Sequence, residues 1–180
     1  MDIEGKTETE VRRRLNRLKD RYGSFDVHEE TVENEPDFFE QGKEMAKEGW
    51  IGDAGAWVTD EEGRALMIRH KGAPDEWGMP GGGHEPGETM EETARREVRE
   101  ETGVECTVVD VNFARRKTII LESSPEERYY MLTVVFDARY EGGTIAIGDE
   151  EILEAKWFSE PPENVLDFVR EQVAEWESDN

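Results

Sequence analysis

Apolar positions recur every three or four residues near the start of the chain: Val11, Leu15, Leu18 and Tyr22 stand at i, i+4, i+7 and i+11. That spacing predicts a helix capped by Thr7 or Thr9, preceded by a frayed stretch over residues 1–6 and ended by Gly23. Phe25 to Val32 alternates weakly and reads as a strand, with His28 an ordinary edge histidine. Pro36 opens a second helix, whose apolar side is Phe38, Phe39, Met45 and Ala46 and whose end is Gly49. Residues 1–49 therefore read as an α-rich N-terminal extension. Such a segment can cover the core, build a homodimer interface or contribute to a pocket.

From Trp50 the pattern shortens to strands. Ile51, Ala54, Ala56 and Val58 mark the first, Asp60-Glu61-Glu62-Gly63 its turn, and Ala65 to Ile68 a short apolar run typical of a buried strand. Glu105 to Leu121 is long and β-rich, to be read as one bulged strand or two. Ser123 to Glu127 reads as a turn. Tyr129 to Tyr140 is apolar on both faces, which predicts a central strand. Ala155 to Phe158 is the last strand. Pro161-Pro162 starts a closing helix that buries Val165, Phe168, Val169, Val173 and Trp176. The order of elements places residues 50–180 in one α/β or α+β domain.

One helix interrupts the strands. Gly81-Gly82-Gly83 reads as a glycine turn and Pro86-Gly87 as a bend. Thr89 with Glu92 has the spacing of a capping box, and Gly103 is the usual residue past a helix end. A helix over residues 88–102 turns Met90, Ala94 and Val98 to one side at about 100° per residue. Glu97 and Glu101 continue that stripe and Glu100 lies beside them, while Glu92, Arg95 and Arg99 face solvent. Carboxylates on a core-facing line are costly to bury without a partner. Hard divalent cations take oxygen ligands, so the cluster reads as a metal site, against the plainer reading of a solvated acidic face.

The run from Gly82 through Glu88, Arg96-Glu97-Val98-Arg99-Glu100-Glu101 and Gly103-Val104 resembles the complete Nudix box, every fixed position matched. The resemblance extends over Trp50 to Trp176. It implies an α/β/α sandwich around a mixed β-sheet and a MutT-like hydrolase that cleaves a nucleoside diphosphate linked to another group; the expectation of a cytoplasmic protein comes separately, from the single cysteine and the lack of a signal or membrane segment. It implies Mg²⁺, with Mn²⁺ as an alternative. It assigns Glu97, Glu100 and Glu101 to the metal, together with the carbonyl of Gly81. Arg96 is expected to brace the carboxylates, and Glu97 or a neighbouring acid to orient or deprotonate water. A further carboxylate from a loop outside the box is placed at Glu151, with Glu150 next. Arg69 at a loop edge and Trp77 in the W-x-x-P-G-G segment are candidate substrate contacts. No proline or tyrosine follows the box in the manner of other substrate groups. A nucleoside triphosphate or modified dNTP is left, with ADP-ribose or a nucleotide sugar open. A non-catalytic nucleotide-binding module and a prenyl diphosphate isomerase are the competing classes. The intact glutamate set separates both from a hydrolase.

Composition adds further limits. Formal net charge is −23, from 45 acidic and 22 basic residues. This predicts self-repulsion relieved by salt, as in proteins of a high-salt cytoplasm, or an ordinary acidic bacterial protein. No basic stripe is present to displace counterions from a genomic nucleic acid. Arg12, Arg13, Arg14 and Arg17 form the only basic segment, expected to pair with the acidic body, with a nucleotide phosphate as the alternative partner. The single cysteine, Cys106, sits in an apolar alternation and reads as a buried structural residue rather than a nucleophile. No apolar run approaches the ~20 residues that span a bilayer.

Overall fold

The computed structural model describes residues 1–179. Its elements are α1 (Ile3–Tyr22), β1 (Asp26–Asn34), α2 (Pro36–Lys47), β2 (Gly52–Thr59), β3 (Ala65–His70), β4 (Ala73–Gly78), β5 (Gly81–Gly83), α3 (Met90–Thr102), β6 (Glu105–Leu121), β7 (Ser124–Gly142), β8 (Ile152–Phe158) and α4 (Arg170–Asp179), the last preceded by a 3-10 turn at Asp167–Val169. The fold is α/β with a mixed sheet. Hydrogen-bonded strands follow the order β1-β6-β7-β2-β3-β4, with β5 beside β2 and β8 beside β3. β1 runs parallel to β6, from Asp26 opposite Phe113 to Asn34 opposite Leu121. β3 is antiparallel to β2, β4 and β8. As its two apolar faces predict, β7 is central.

The chain forms two compact units. The first comprises residues 1–54, 83–93 and 111–135. Its core gathers Val11, Leu15 and Leu18 of α1, Phe39 and Ala46 of α2, and Met90, Tyr129 and Leu132. The rings of Phe39 and Tyr129 meet at 5.2 Å. Of the described residues, the second comprises 55–82, 94–110 and 136–179. Its core holds Val58, Leu66, Met67, Ala94, Val98, Val104, Phe136, Val169 and Trp176. Trp176 stands edge-on to Trp57 at 5.9 Å and donates its indole N–H to the Gly63 carbonyl at 2.8 Å.

Several boundaries differ from the sequence expectation, each for a local reason. Residues 1–6 are not frayed: Asp2 caps α1, its carboxylate accepting from the Gly5 N–H at 2.8 Å. Thr7 is instead buried one turn in. Its hydroxyl donates back to the Ile3 carbonyl and accepts from the Tyr130 N–H at 2.9 Å. In α2 only Phe39 and Ala46 of the expected apolar side are buried, leaving Phe38 66 % and Met45 42 % exposed. The β6–β7 connection is two residues, Glu122-Ser123, so Pro125 belongs to a strand. β4 was unforeseen; it folds back on β3 and places Trp77 in a strand rather than a loop. The closing helix begins at Arg170, well past Pro161-Pro162, because an irregular segment and a single bridge between Trp77 and Val165 come first.

Candidate active site

The glycine triplet is the first departure at the site. Gly81–Gly83 is not a turn but a short extended strand beside β2. The Ala56 N–H donates to the Pro80 carbonyl at 3.1 Å just before it. Glycine is required at 82 by proximity. A Cβ there would lie 2.5 Å from the Glu97 carboxyl carbon and 2.6 Å from both its oxygens. The missing side chain of Gly82 is thus the space that the Glu97 carboxylate occupies.

α3 supplies the carboxylates. The reciprocal cap forms: Thr89 N–H donates to the Glu92 carboxylate at 3.0 Å, and Glu92 N–H to the Thr89 hydroxyl at 3.1 Å. The Glu88 carboxylate accepts from the Glu85 N–H and the Thr93 hydroxyl, both at 3.0 Å, and so ties the loop to the first turn. Met90, Ala94 and Val98 are buried, and Glu92, Arg95 and Arg99 exposed, as the helical pattern requires. Gly103 ends the helix at φ 79°, a backbone that favours glycine.

Three glutamates on one helix experience different surroundings. Glu101 is 4 % exposed and accepts a hydrogen bond from the Gly81 N–H at 2.8 Å. Burial pushes its pKa up to about 8, against the pull of that N–H, and the charges of Glu97, Asp149 and Glu100 add to the rise. Glu97 is half-buried. Burial raises it too, and Arg96, donating at 2.8 Å, opposes this while Glu100 and Asp149 reinforce it. Glu100 is exposed and shares the Arg96 guanidinium at 3.2 Å. Arg96 therefore spans Glu97 and Glu100, and the Gly81 backbone reaches Glu101 through its N–H.

Asp149 is the acid that sequence reasoning passed over. It is half-buried and close enough to raise both Glu97 and Glu101, whereas Glu150 and Glu151 are exposed. The loop that carries it is fastened to the end of α3. Ala146 N–H donates to the Thr102 carbonyl at 2.9 Å and Gly148 N–H to the Glu100 carbonyl at 3.1 Å. The Asp149 carboxylate accepts from the Glu151 N–H at 2.8 Å. The sequence signal was the glycine at 148, which lets the backbone close on Glu100: a Cβ there would meet that carbonyl at 2.9 Å.

Two candidates lie apart from this cluster. Arg69 donates to Glu154 at 3.1 Å and to the Pro74 carbonyl at 2.8 Å, and its guanidinium sits 5.2 Å from the Trp77 ring centre. Trp77 stands edge-on to Phe158 at 4.7 Å. Neither has a hydrogen bond or ion pair to Glu97, Glu100 or Glu101 among the described residues. Glu151 meets Lys71 through its backbone carbonyl, which accepts at 2.9 Å. Cys106 is buried, its thiol pushed up to about 11 by that burial, and suits no nucleophile.

The donor set suits a hard divalent cation. All of its side-chain groups are carboxylates, the charges of Glu100 and Asp149 help to raise Glu97 and Glu101, and that repulsion is what a cation relieves. Among the described residues no three acidic, histidine or cysteine side chains are already drawn together as a cage. Glu100 is the exposed member of the three glutamates and is linked to Glu97 through the shared Arg96 guanidinium. No helix among the described residues is long and apolar enough to cross a membrane.

Comparison with known proteins agrees with the motif. Residues 51–175 match the NUDIX domain family model. The chain is 36 % identical over 99 residues to the nucleoside triphosphatase NudI of Enterobacter sp. (strain 638), an alignment that spans 53 % of this chain and 70 % of that protein. It is 36 % identical over 89 residues to the NudI protein of Salmonella heidelberg, spanning 47 % of this chain and 63 % of that protein. Among solved structures, a MutT protein from Methanosarcina mazei Go1 superposes with a TM-score of 0.53 at 23 % identity, covering 72 % of this chain and 94 % of that one. Nudix hydrolases generally use divalent metal ions. With a family match across more than two thirds of its length and the full glutamate set on α3, this chain belongs to the NUDIX domain family and is a Nudix hydrolase.

Proposed function

We propose that this chain hydrolyses the diphosphate linkage of a nucleoside triphosphate or modified dNTP with Mg²⁺ bound at α3. The observation that carries the reading is the Glu97 carboxylate seated in the space that Gly82 leaves, with the charges of Asp149 and Glu100 acting on both Glu97 and the buried Glu101. The nucleotide class rests on the names of the NudI relatives. Glu97 and Glu101 would hold the cation, with Glu100 completing its side-chain oxygen ligands. Such a cation neutralises charge on the phosphates and lowers the pKa of bound water.

The chain's own residues set the conditions for attack. Gly81 N–H fixes one oxygen of Glu101 and orients the other. Arg96 donates to both Glu97 and Glu100 and so holds the two carboxylates near each other. Asp149, tethered by Gly148 to the end of α3, provides a carboxylate to accept the proton of the attacking water. The −23 charge fits service in concentrated salt, where screening weakens the repulsion among 45 acidic groups.

The test is a hydrolysis panel with Mg²⁺ and with Mn²⁺ over NTPs, modified dNTPs, ADP-ribose and nucleotide sugars. Fastest metal-dependent turnover of a nucleoside triphosphate supports the reading. Preference for ADP-ribose or a nucleotide sugar replaces the substrate class while keeping the chemistry.

A further inference from the structure

Residues 143–148, the strap between β7 and β8, bury no side chain: Ile145 is 38 % and Ile147 41 % exposed. Apolar burial therefore does not hold the strap in place. Backbone contacts do. An α-helix ends in carbonyls that have no partner within the helix. The strap supplies donors to two of them in α3, Ala146 N–H to Thr102 and Gly148 N–H to Glu100. Asp149 follows at once, close enough for its charge to act on Glu97 and Glu101.

The entry to the strap is packed more closely than those two bonds require. Gly103 ends α3 at φ 79° and Gly143 opens the strap at φ 83°, a left-handed backbone at both. The two meet without side chains. A Cβ on Gly143 would stand 2.5 Å from the Gly103 carbonyl oxygen. One on Gly103 would stand 2.7 Å from the Thr144 carbonyl oxygen and 2.8 Å from the Ala146 nitrogen. These neighbours are backbone, which cannot swing aside as the end of a side chain can. The Gly143 carbonyl is held as well. It accepts from the Tyr140 hydroxyl at 2.7 Å, and the Tyr140 ring stands edge-on to Trp157 at 5.5 Å. Beyond Asp149 the chain is fixed again, the Glu151 carbonyl accepting from the Lys71 N–H at 2.9 Å.

We infer that Gly143 and Tyr140 are positioning residues for the hydrolytic site. The seat they form with Gly103 sets where the strap lies on α3, and the strap sets where the Asp149 carboxylate lies. Their role rests on the proton-accepting part given to Asp149. Helix capping is the plainer role, and it would make the seat matter to stability but not to the reaction. A Cβ at 143 has to lift the strap by about 1 Å, because ordinary contact begins at 3.4 Å. A displacement of about 1 Å in a reacting group costs on the order of 10²-fold in rate. Asp149 acts on the attacking water and not on metal or nucleotide binding, so the loss falls on kcat and leaves KM in place.

Gly143→Ala should lower kcat for the best nucleotide about a hundredfold, with KM and the half-saturating Mg²⁺ concentration unchanged. Gly23→Ala controls for backbone strain. Gly23 has nearly the same φ, 82°, with nothing within 4 Å of an added Cβ, so this variant should keep the native kcat. Asp149→Asn should lose at least as much as Gly143→Ala. The double variant should be no slower than Asp149→Asn alone, because the seat acts only through that carboxylate. Tyr140→Phe keeps the ring and removes one hydrogen bond, and should lower kcat about three- to tenfold. Should Gly143→Ala fail to fold, Tyr140→Phe takes its place in the same cycle with Asp149→Asn. Amide exchange needs no turnover. It should find the Ala146 and Gly148 N–H groups protected in the native chain and faster-exchanging in Gly143→Ala and Tyr140→Phe. Losses that multiply in the double variant, a rise in KM in place of the fall in kcat, native kcat in both seat variants, or unchanged exchange would each overturn the inference while native turnover stands. A native chain without metal-dependent turnover would overturn the hydrolytic reading itself, and the catalytic use of the strap with it.

Discussion

Replacing Gly82 with alanine perturbs the site by one methyl group and nothing else. The added Cβ would stand 2.5 Å from the Glu97 carboxyl carbon, where ordinary contact begins at 3.4 Å. The carboxylate must therefore recede by about 1 Å. It has little freedom to do so quietly, because Arg96 holds it at 2.8 Å and the side chain is half-buried. A misplacement of about 1 Å in a catalytic group costs on the order of 10²-fold in rate. Overpacking costs about 1–3 kcal/mol, and the lower end applies because a side-chain terminus, not backbone, must yield. In a chain of this size about 1 kcal/mol lowers the melting temperature by about 2–4 °C. Gly82→Ala should thus melt close to the native chain while its Mg²⁺-dependent turnover of the best nucleotide falls about a hundredfold. The Mg²⁺ concentration for half-maximal rate should rise with it. A variant within about threefold of native activity, with an unchanged melt, would refute the role given to Glu97 and to the space beside it.

Three further outcomes follow from the charges. Glu101, pushed up to about 8, binds its proton more tightly in the folded chain than in the unfolded one, so metal-free stability should fall as pH rises from about 4.5 to 8 and level off above. Denaturant melts should show that slope flattened in Glu101→Gln and offset by Mg²⁺ in the native chain. Glu91 is the opposite case: burial would raise it, but the hydrogen bond and charge of Arg17 more than offset that and hold it low, so its stabilisation should be lost as pH falls through the acid range. Glu91→Ala removes the buried acceptor shared by Arg17, Arg21 and the Tyr22 hydroxyl and should cost about 1–3 kcal/mol in urea melts. Finally, the melting temperature should climb with KCl as the −23 charge is screened, and a flat or falling curve would remove the high-salt reading.

What could be read in the sequence was what local rules govern. The period of α3, its capping box and its terminal glycine depend on neighbours three or four residues away, so the helix and the azimuth of its glutamates were legible. The two-sided apolar run of β7 likewise announced a central strand. Features set by distant partners were not legible. Gly81–Gly83 looks like a turn by composition, and only pairing with β2 makes it a strand. Asp149 stands among three acidic residues in a row, and the backbone bond from Gly148 to α3 is what singles it out. Glu91 has the appearance of a surface acid, yet the arginines of α1 bury it. Arg69 and Trp77 were placed by their proximity to the box in sequence, whereas the β3–β4 hairpin turns them towards Glu154 and Phe158. Phe38 was assigned to a core that α2, with Phe39 already filling the contact to Tyr129, does not extend to it.

The most direct test of the central claim is the rate of nucleotide hydrolysis with and without Mg²⁺, measured side by side for the native chain, Glu97→Gln and Glu101→Gln. These account for metal-dependent turnover as the work of the α3 carboxylates, so removing either charge should reduce the rate by at least a hundredfold while the melting curves stay cooperative. Turnover that persists in chelator, or that survives both substitutions in folded protein, would contradict it.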